Sequence, residues 1–159
     1  MNLKSFQAVV ALSGVHSVFA LATPPSKPVI TLAAAQSAIA SVVQPSDKRH
    51  APYVISVVDD GGNLIYLERA DGALSGMIEA SIMKARSAAG YGVTTKILEQ
   101  QIAQGHPGFQ NLPGTLPMVG GVPVRIDGVL VSAVGVAGGQ SSDDGAIAEK
   151  AAADLTRAD

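Results

Sequence analysis

Residues 53–58 read Y-V-I-S-V-V and residues 64–69 read L-I-Y-L-E-R, with Asp59-Asp60-Gly61-Gly62-Asn63 between them. The first run is apolar and β-branched, which favours a strand. The five residues between are turn formers: Asp and Asn bond their own backbone, and Gly takes positive φ without strain. Two strands joined by so short a link must pair as an antiparallel hairpin, because parallel neighbours need a crossover of about a dozen residues or more. No other stretch limits the fold as strongly. Asp59 and Asp60 leave the strand end on opposite sides. They therefore read as turn residues rather than as a carboxylate pair for acid–base work.

Helical patterns flank the hairpin. Thr31 is an N-cap for a helix over residues 32–44, whose apolar positions include Leu32, Ala35, Ile39 and Val42. Pro45 stops it. Ser75 caps a second helix over residues 76–89, with Met77, Ile78, Ile82, Ala85 and Ala89 on one stripe. Ala80, Ser81, Ala85, Ser87 and Ala88 are small enough to let that helix lie close to a sheet. Thr94 or Thr95 caps a short helix to about residue 103, and residues 105–117 are irregular. Three β segments follow, near 118–120, 122–126 and 129–136. A Gly-rich turn over 135–139 then leads to a last helix over 145–156, with Asp143 and Asp144 against its N-terminal dipole. The order α-β-β-α-α-β-β-β-α predicts an α+β domain, a mostly antiparallel sheet with helices packed against it, rather than a parallel doubly wound fold. No G-x-G-x-x-G follows the first strand, which removes the main reason to expect a dinucleotide.

The first residues belong to something else. Lys4 precedes a nearly uncharged run from Phe6 to Ala20, then Ala20-Leu21-Ala22 and Thr23-Pro24-Pro25. This is the layout of a secretory signal peptide, cleaved after Ala22. The run is short for a membrane span, which needs about 20 residues. The expected organisation is a signal peptide over 1–22, an extended Pro-rich arm over 23–29 and a single domain over 30–159. The expected location is periplasmic or secreted, with no stable membrane span after cleavage.

Composition then excludes several chemistries. The chain has 159 residues, no Cys and a formal net charge of −2. Without Cys there is no disulfide framework, thiolate metal site, cysteine nucleophile or covalent haem attachment. An exported domain without disulfides has to rely on packing, and a homo-oligomer is expected. A slightly acidic chain with 4% aromatic residues is a poor candidate for nucleic acid. After the leader only His50 and His106 remain, so no transition-metal site is expected. Ser141 and Ser142 form no nucleophile–base signature with either His, and no catalytic residues are assigned.

Four blocks carry a family resemblance. The first runs Val57-Val58-Asp59-Asp60-Gly61-Gly62-Asn63-Leu64 and continues to Arg69-Ala70-Asp71-Gly72-Ala73. The second is Ala80 with Lys84-Ala85 and Ala88-Ala89, and the third is Gly120-Gly121-Val122-Pro123. The fourth is Gly128-Val129-Leu130-Val131-Ser132-Ala133-Val134-Gly135-Val136-Ala137-Gly138-Gly139, then Asp143-Asp144 and Ala148. In this order they resemble the GlcG/HbpS-like family, also found as the C-terminal domain of PduO-type adenosyltransferases. The resemblance spans roughly residues 29–155. It implies a profilin-like fold with a five-stranded sheet, and oligomers often built from dimers. It also implies haem binding in some members, haem sensing in extracellular ones, and glycolate use or lyase chemistry on hydroxylamino-aromatic acids in others.

Haem as a non-covalent cofactor needs an axial donor and an apolar wall. His106, next to Phe109 and close in sequence to Leu112, Leu116 and Met118, is the first ligand candidate; His50 and Met118 are the others. Some haem-binding relatives draw the ligand from the N-terminal arm or first helix, but residues 23–44 hold no His, Met or Tyr. Arg69, Asp71 and Lys84 match recurring polar positions of the family, and with Phe109 they are the candidates for a ligand pocket. They can hold an acidic ligand or form a structural ion pair at a subunit contact. The leading reading is an exported haem-binding sensor, carrier or scavenger. The alternatives are an enzyme on a small acidic or aromatic metabolite, and an oligomeric structural partner without a small ligand.

Overall fold

The computed structural model describes residues 26–43 and 52–157. His50, one of the three haem-ligand candidates, lies outside them, as does the whole proposed leader. The described chain runs α1 (Leu32–Val42), β1 (Val54–Asp59), β2 (Leu64–Arg69), α2 (Gly76–Tyr91), α3 (Thr95–Ala103), a 3-10 turn (Pro107–Asn111), β3 (Gly121–Ile126), β4 (Val129–Ala137) and α4 (Ser141–Leu155). The strands form one antiparallel sheet in the order β2-β1-β4-β3.

β1 and β2 make the hairpin that residues 53–69 dictate. Its turn is held by Asp59, whose carboxylate accepts from the Asn63 backbone N–H at 2.8 Å and from the Asn63 amide at 3.0 and 3.2 Å. These bonds hold the Asp59 carboxyl below its ordinary range, the Asn63 side chain being the largest cause. Gly62 supplies the positive φ of 81° that the turn requires. At the other end, Thr31 Oγ1 accepts from Ala34 N at 3.1 Å and caps α1.

The fifth strand expected around residues 118–120 is absent from the described sheet, which has four strands. A ladder needs outward N–H and C=O groups in succession. Here the Met118 N–H turns back onto Leu116 O at 2.8 Å, and Gly120 takes φ 124°. Gly120 O still accepts from Val136 N at 2.8 Å, so the segment touches the sheet through a single bond before β3 begins. The last helix starts at Ser141, four residues before the apolar pattern predicts.

Helices cover both faces of the sheet. Ile55 and Val57 of β1, Val134 and Val136 of β4, and Val124 of β3 pack with Ile39 of α1 and Ala148, Ala151 and Leu155 of α4. On the other face Val58 and Ala133 pack against Ala85, Ala88 and Ala89 of α2. That second interface is unusually close. A Cβ added at Gly135 would overlap Ser81 O and lie 2.6 Å from Ala85 N, and one at Gly121 would overlap Lys84 O. Glycine in the strands and small residues in the helix therefore bring α2 down onto the sheet backbone, which fixes where Lys84 sits.

Gly135→Ala has no room to relax, since the obstacle is backbone rather than a side-chain tip. It is expected to cost about 1–3 kcal/mol, a typical overpacking penalty, and to lower the melting temperature by several degrees. Gly90→Ala, on α2 with nothing within 4 Å of the added carbon, is expected to leave stability unchanged or raise it by about 0.5–1 kcal/mol. Thermal unfolding followed by circular dichroism distinguishes the two. Equal losses would refute the close-packing account.

Candidate functional site

The site forms where β4 ends and α4 begins. After Ala137 the chain turns at Gly138, whose φ is 133° and whose added Cβ would crowd Tyr53 Cα at 2.8 Å. Only glycine makes that turn against the start of β1. Gly139 and Gln140 follow, and α4 opens at Ser141. Asp143 and Asp144 fall in its first turn, where the helix dipole favours negative charge.

Asp144 folds back over the turn. Its Oδ1 accepts from Gly139 N at 3.0 Å, and its Oδ2 accepts from Lys84 Nζ at 2.9 Å. Lys84 comes from the other side of the sheet, on α2. It also donates to Val136 O at 2.9 Å. A Cβ at Gly120 would stand 3.1 Å from both Lys84 Cδ and Nζ, so the absence of a side chain there opens the lysine's path. The two charged side chains are each 4% exposed. The pair joins α2 to α4 around the end of β4, and it is the buried ion pair of the described residues.

A pocket of about 500 Å³ opens over this pair. Lys84 and Asp144 form its polar floor. Its walls come from Pro52, Gly72, Leu74, Met77, Ala80, Leu116 and Met118, and its near edge from Ala137, Gly138, Gly139 and Ser141. The irregular stretch that carries Leu116 and Met118 is fastened to α2, since Leu116 N donates to Ser87 Oγ at 2.8 Å and Tyr91 Oη donates to Pro113 O at 3.0 Å. Among the described residues there is no cluster of three or more His, Asp or Glu side chains placed to hold a metal ion.

The sequence candidates separate in space. Lys84 and Met118 meet in the pocket. Met118 is 46% exposed. Arg69, exposed at the end of β2, donates to Ala73 O from Nε at 3.0 Å and from Nη2 at 2.6 Å, closing the loop that presents Gly72 and Leu74. Asp71 is exposed in that loop and is not among the lining residues. His106 is exposed at the start of the 3-10 turn, its ring tilted 57° to that of Phe109 with centroids 6.5 Å apart. Neither of these two lines the pocket. Asp144 is the pocket residue whose pairing with Lys84 the sequence does not show. It was visible as a helix-start acid, but Asp143 beside it looks the same in the chain, and only the fold shows which one turns inward.

Comparison with known proteins places this architecture. A family model described as "haem degrading protein HbpS-like" matches residues 30–153. Protein GlcG of Escherichia coli K12 is 34% identical over 111 residues, which cover 70% of this chain and 83% of GlcG. A double mutant of HbpS from Streptomyces reticuli superposes with a TM-score of 0.73 at 31% identity, covering 94% of this chain and 97% of its own. A complex of PduOC with haem superposes with a TM-score of 0.66 at 26% identity, covering 77% of this chain and 90% of its own.

Proposed function

The chain belongs to the HbpS-like family, and on that footing we propose that it is an exported protein that binds haem non-covalently in the pocket above Lys84 and Asp144. The observation that carries this reading is the wall of that pocket. Leu74, Met77, Leu116 and Met118 offer an apolar surface, and Met118 also offers a thioether. A non-covalent haem requires an apolar wall and an axial donor from the protein; the lining residues supply the wall, and Met118 is the candidate donor among them. PduOC, a relative in fold and sequence whose crystal structure is a complex with haem, supports the same ligand class. Bound haem supplies a redox-active iron. The chain's own part would be to hold it: Leu74, Met77 and Leu116 would pack against the macrocycle, and Met118 would offer its thioether to the iron. His106, exposed, and Phe109, half-buried, are not among these lining residues, which ranks His106 behind Met118 as ligand.

The proposal includes cleavage after Ala22 and a periplasmic or secreted location, on the strength of the charged start, the apolar run and the A-x-A pattern. No helix of the described residues is long and apolar enough to cross a membrane. Assembly as a homo-oligomer belongs to the same reading. It is supported by exposed apolar side chains outside the pocket such as Ile97 and Val129, at 44% and 45% exposure, in a domain with no disulfide.

Two measurements check this reading. Hemin titrated into the purified protein is expected to give a Soret shift, and Met118→Ala is expected to weaken binding by about tenfold, or 1.4 kcal/mol, while His106→Ala changes it little. No Soret shift at micromolar hemin would contradict haem binding, and loss of the shift in His106→Ala alone would move the site to the 3-10 turn. For export, the N-terminal sequence of the protein recovered outside the cytoplasm is expected to begin at Thr23. Full-length protein confined to the cytoplasm would contradict it.

A further inference from the structure

The floor of the pocket has a charge balance that points to a second ligand chemistry. A lysine ammonium has three N–H donors. Lys84 uses two of them, on Asp144 Oδ2 and Val136 O, each at 2.9 Å. Asp144 accepts from Lys84 at one oxygen and from Gly139 N at the other, which leaves acceptor capacity on both. Both side chains are nine-tenths or more buried, and both line the pocket. Their charges cancel. An anionic head brought to Lys84 meets the Asp144 carboxylate at the same floor, and a cationic head brought to Asp144 meets the lysine. An uncharged head with an acceptor beside a donor satisfies both, and it does so where little water competes.

We propose that this pocket binds small molecules with an uncharged carboxamide-type head, the carbonyl accepting from Lys84 and the N–H donating to Asp144. The body of the ligand is compact and apolar or aromatic. It lies against Leu74, Leu116 and the thioethers of Met77 and Met118, and thioether sulfur makes favourable contacts with aromatic rings. The inference uses the same pocket as the haem reading but does not rest on it, because it comes from the ion pair rather than from the axial donor.

Benzamide and benzoate, which share a ring and differ in the charge of the head, are the probes. Ligand-observed NMR titration of the full chain at pH 7 is expected to give benzamide at least about a tenfold lower dissociation constant than benzoate, a preference of the size one well-placed charge effect supplies. Asp144→Asn leaves the lysine charge uncompensated and is expected to reverse the order. Because that variant can lose its fold, a second one carries the test. Lys84→Met with Asp144→Leu removes both charges together, which protein interiors tolerate well. It is expected to keep the circular dichroism spectrum while losing benzamide binding by about tenfold or more. Benzoate binding as tight as benzamide to the unaltered chain, no benzamide binding at about 10 mM (weaker than any useful pocket affinity), or full benzamide binding by the folded double variant would each overturn the inference. Hemin is followed separately by Soret absorbance. Hemin binding without benzamide binding removes this inference alone, and benzamide binding without hemin binding removes the haem reading alone.

Discussion

Lys84 holds its ammonium against Asp144 and the Val136 carbonyl at a place that water hardly reaches. Taking two ions out of water costs several kcal/mol each, and only close geometry with further hydrogen bonds offsets it. Here the carboxylate lies 2.9 Å away, a strand carbonyl accepts a hydrogen bond from a second ammonium N–H, Gly139 N–H donates to the other carboxylate oxygen, and the N-terminal dipole of α4 favours the negative charge. The contributions come from α2, the end of β4, the turn after it and the start of α4. Removing one partner leaves the other charge buried alone, which typically costs about 3–5 kcal/mol. The pair therefore ties α2, the end of β4 and the start of α4 into one unit.

The glycines of the chain make sense in that light. Gly135 and Gly121 let α2 rest on the sheet backbone, and Gly120 opens the lysine's path. Gly138 turns the chain so that Asp144 points back rather than outward. The same arrangement leaves the space over the pair empty of side chains, and the segment from Leu112 to Met118, pinned to Ser87 and Tyr91, walls it in. The pocket is thus a by-product of how the ion pair is assembled. An apolar wall over a polar, net-neutral floor suits a ligand that is largely apolar and carries little net charge at its buried end.

Much of the fold is legible in the chain, and the reasons are local. The β1–β2 hairpin follows from Asp59 to Asn63, whose turn bonds are made by the residues that predict them. The helices follow from apolar period and caps such as Thr31. What local pattern cannot give is a partner distant in sequence. Residues 118–120 look like a strand, yet the Met118 N–H is spent on Leu116 and Gly120 bends the backbone, because the segment serves as a pocket wall. Ser75 looks like a cap but is already helical at φ −60°. Thr95 Oγ1 accepts from Gly121 N instead of bonding only within its own helix. In the site, Lys84 and Met118 are legible, one through its family block and one through its side-chain chemistry. The pairing of Lys84 with Asp144 is not, since 60 residues separate them. Arg69 and Asp71 look like ligand-binding residues in the chain, whereas in the fold Arg69 bonds the Ala73 carbonyl and shapes the loop.

The most direct test of the buried pair is the proton-detected nitrogen-15 spectrum of the lysine ammonium groups near neutral pH. Exposed lysine ammoniums exchange with water too fast to be seen, while a desolvated, hydrogen-bonded one is protected. One slowly exchanging ammonium signal is predicted, absent in Lys84→Arg and perturbed in Asp144→Asn. A spectrum with no protected ammonium, or a protected signal that survives Lys84→Arg, would contradict the account.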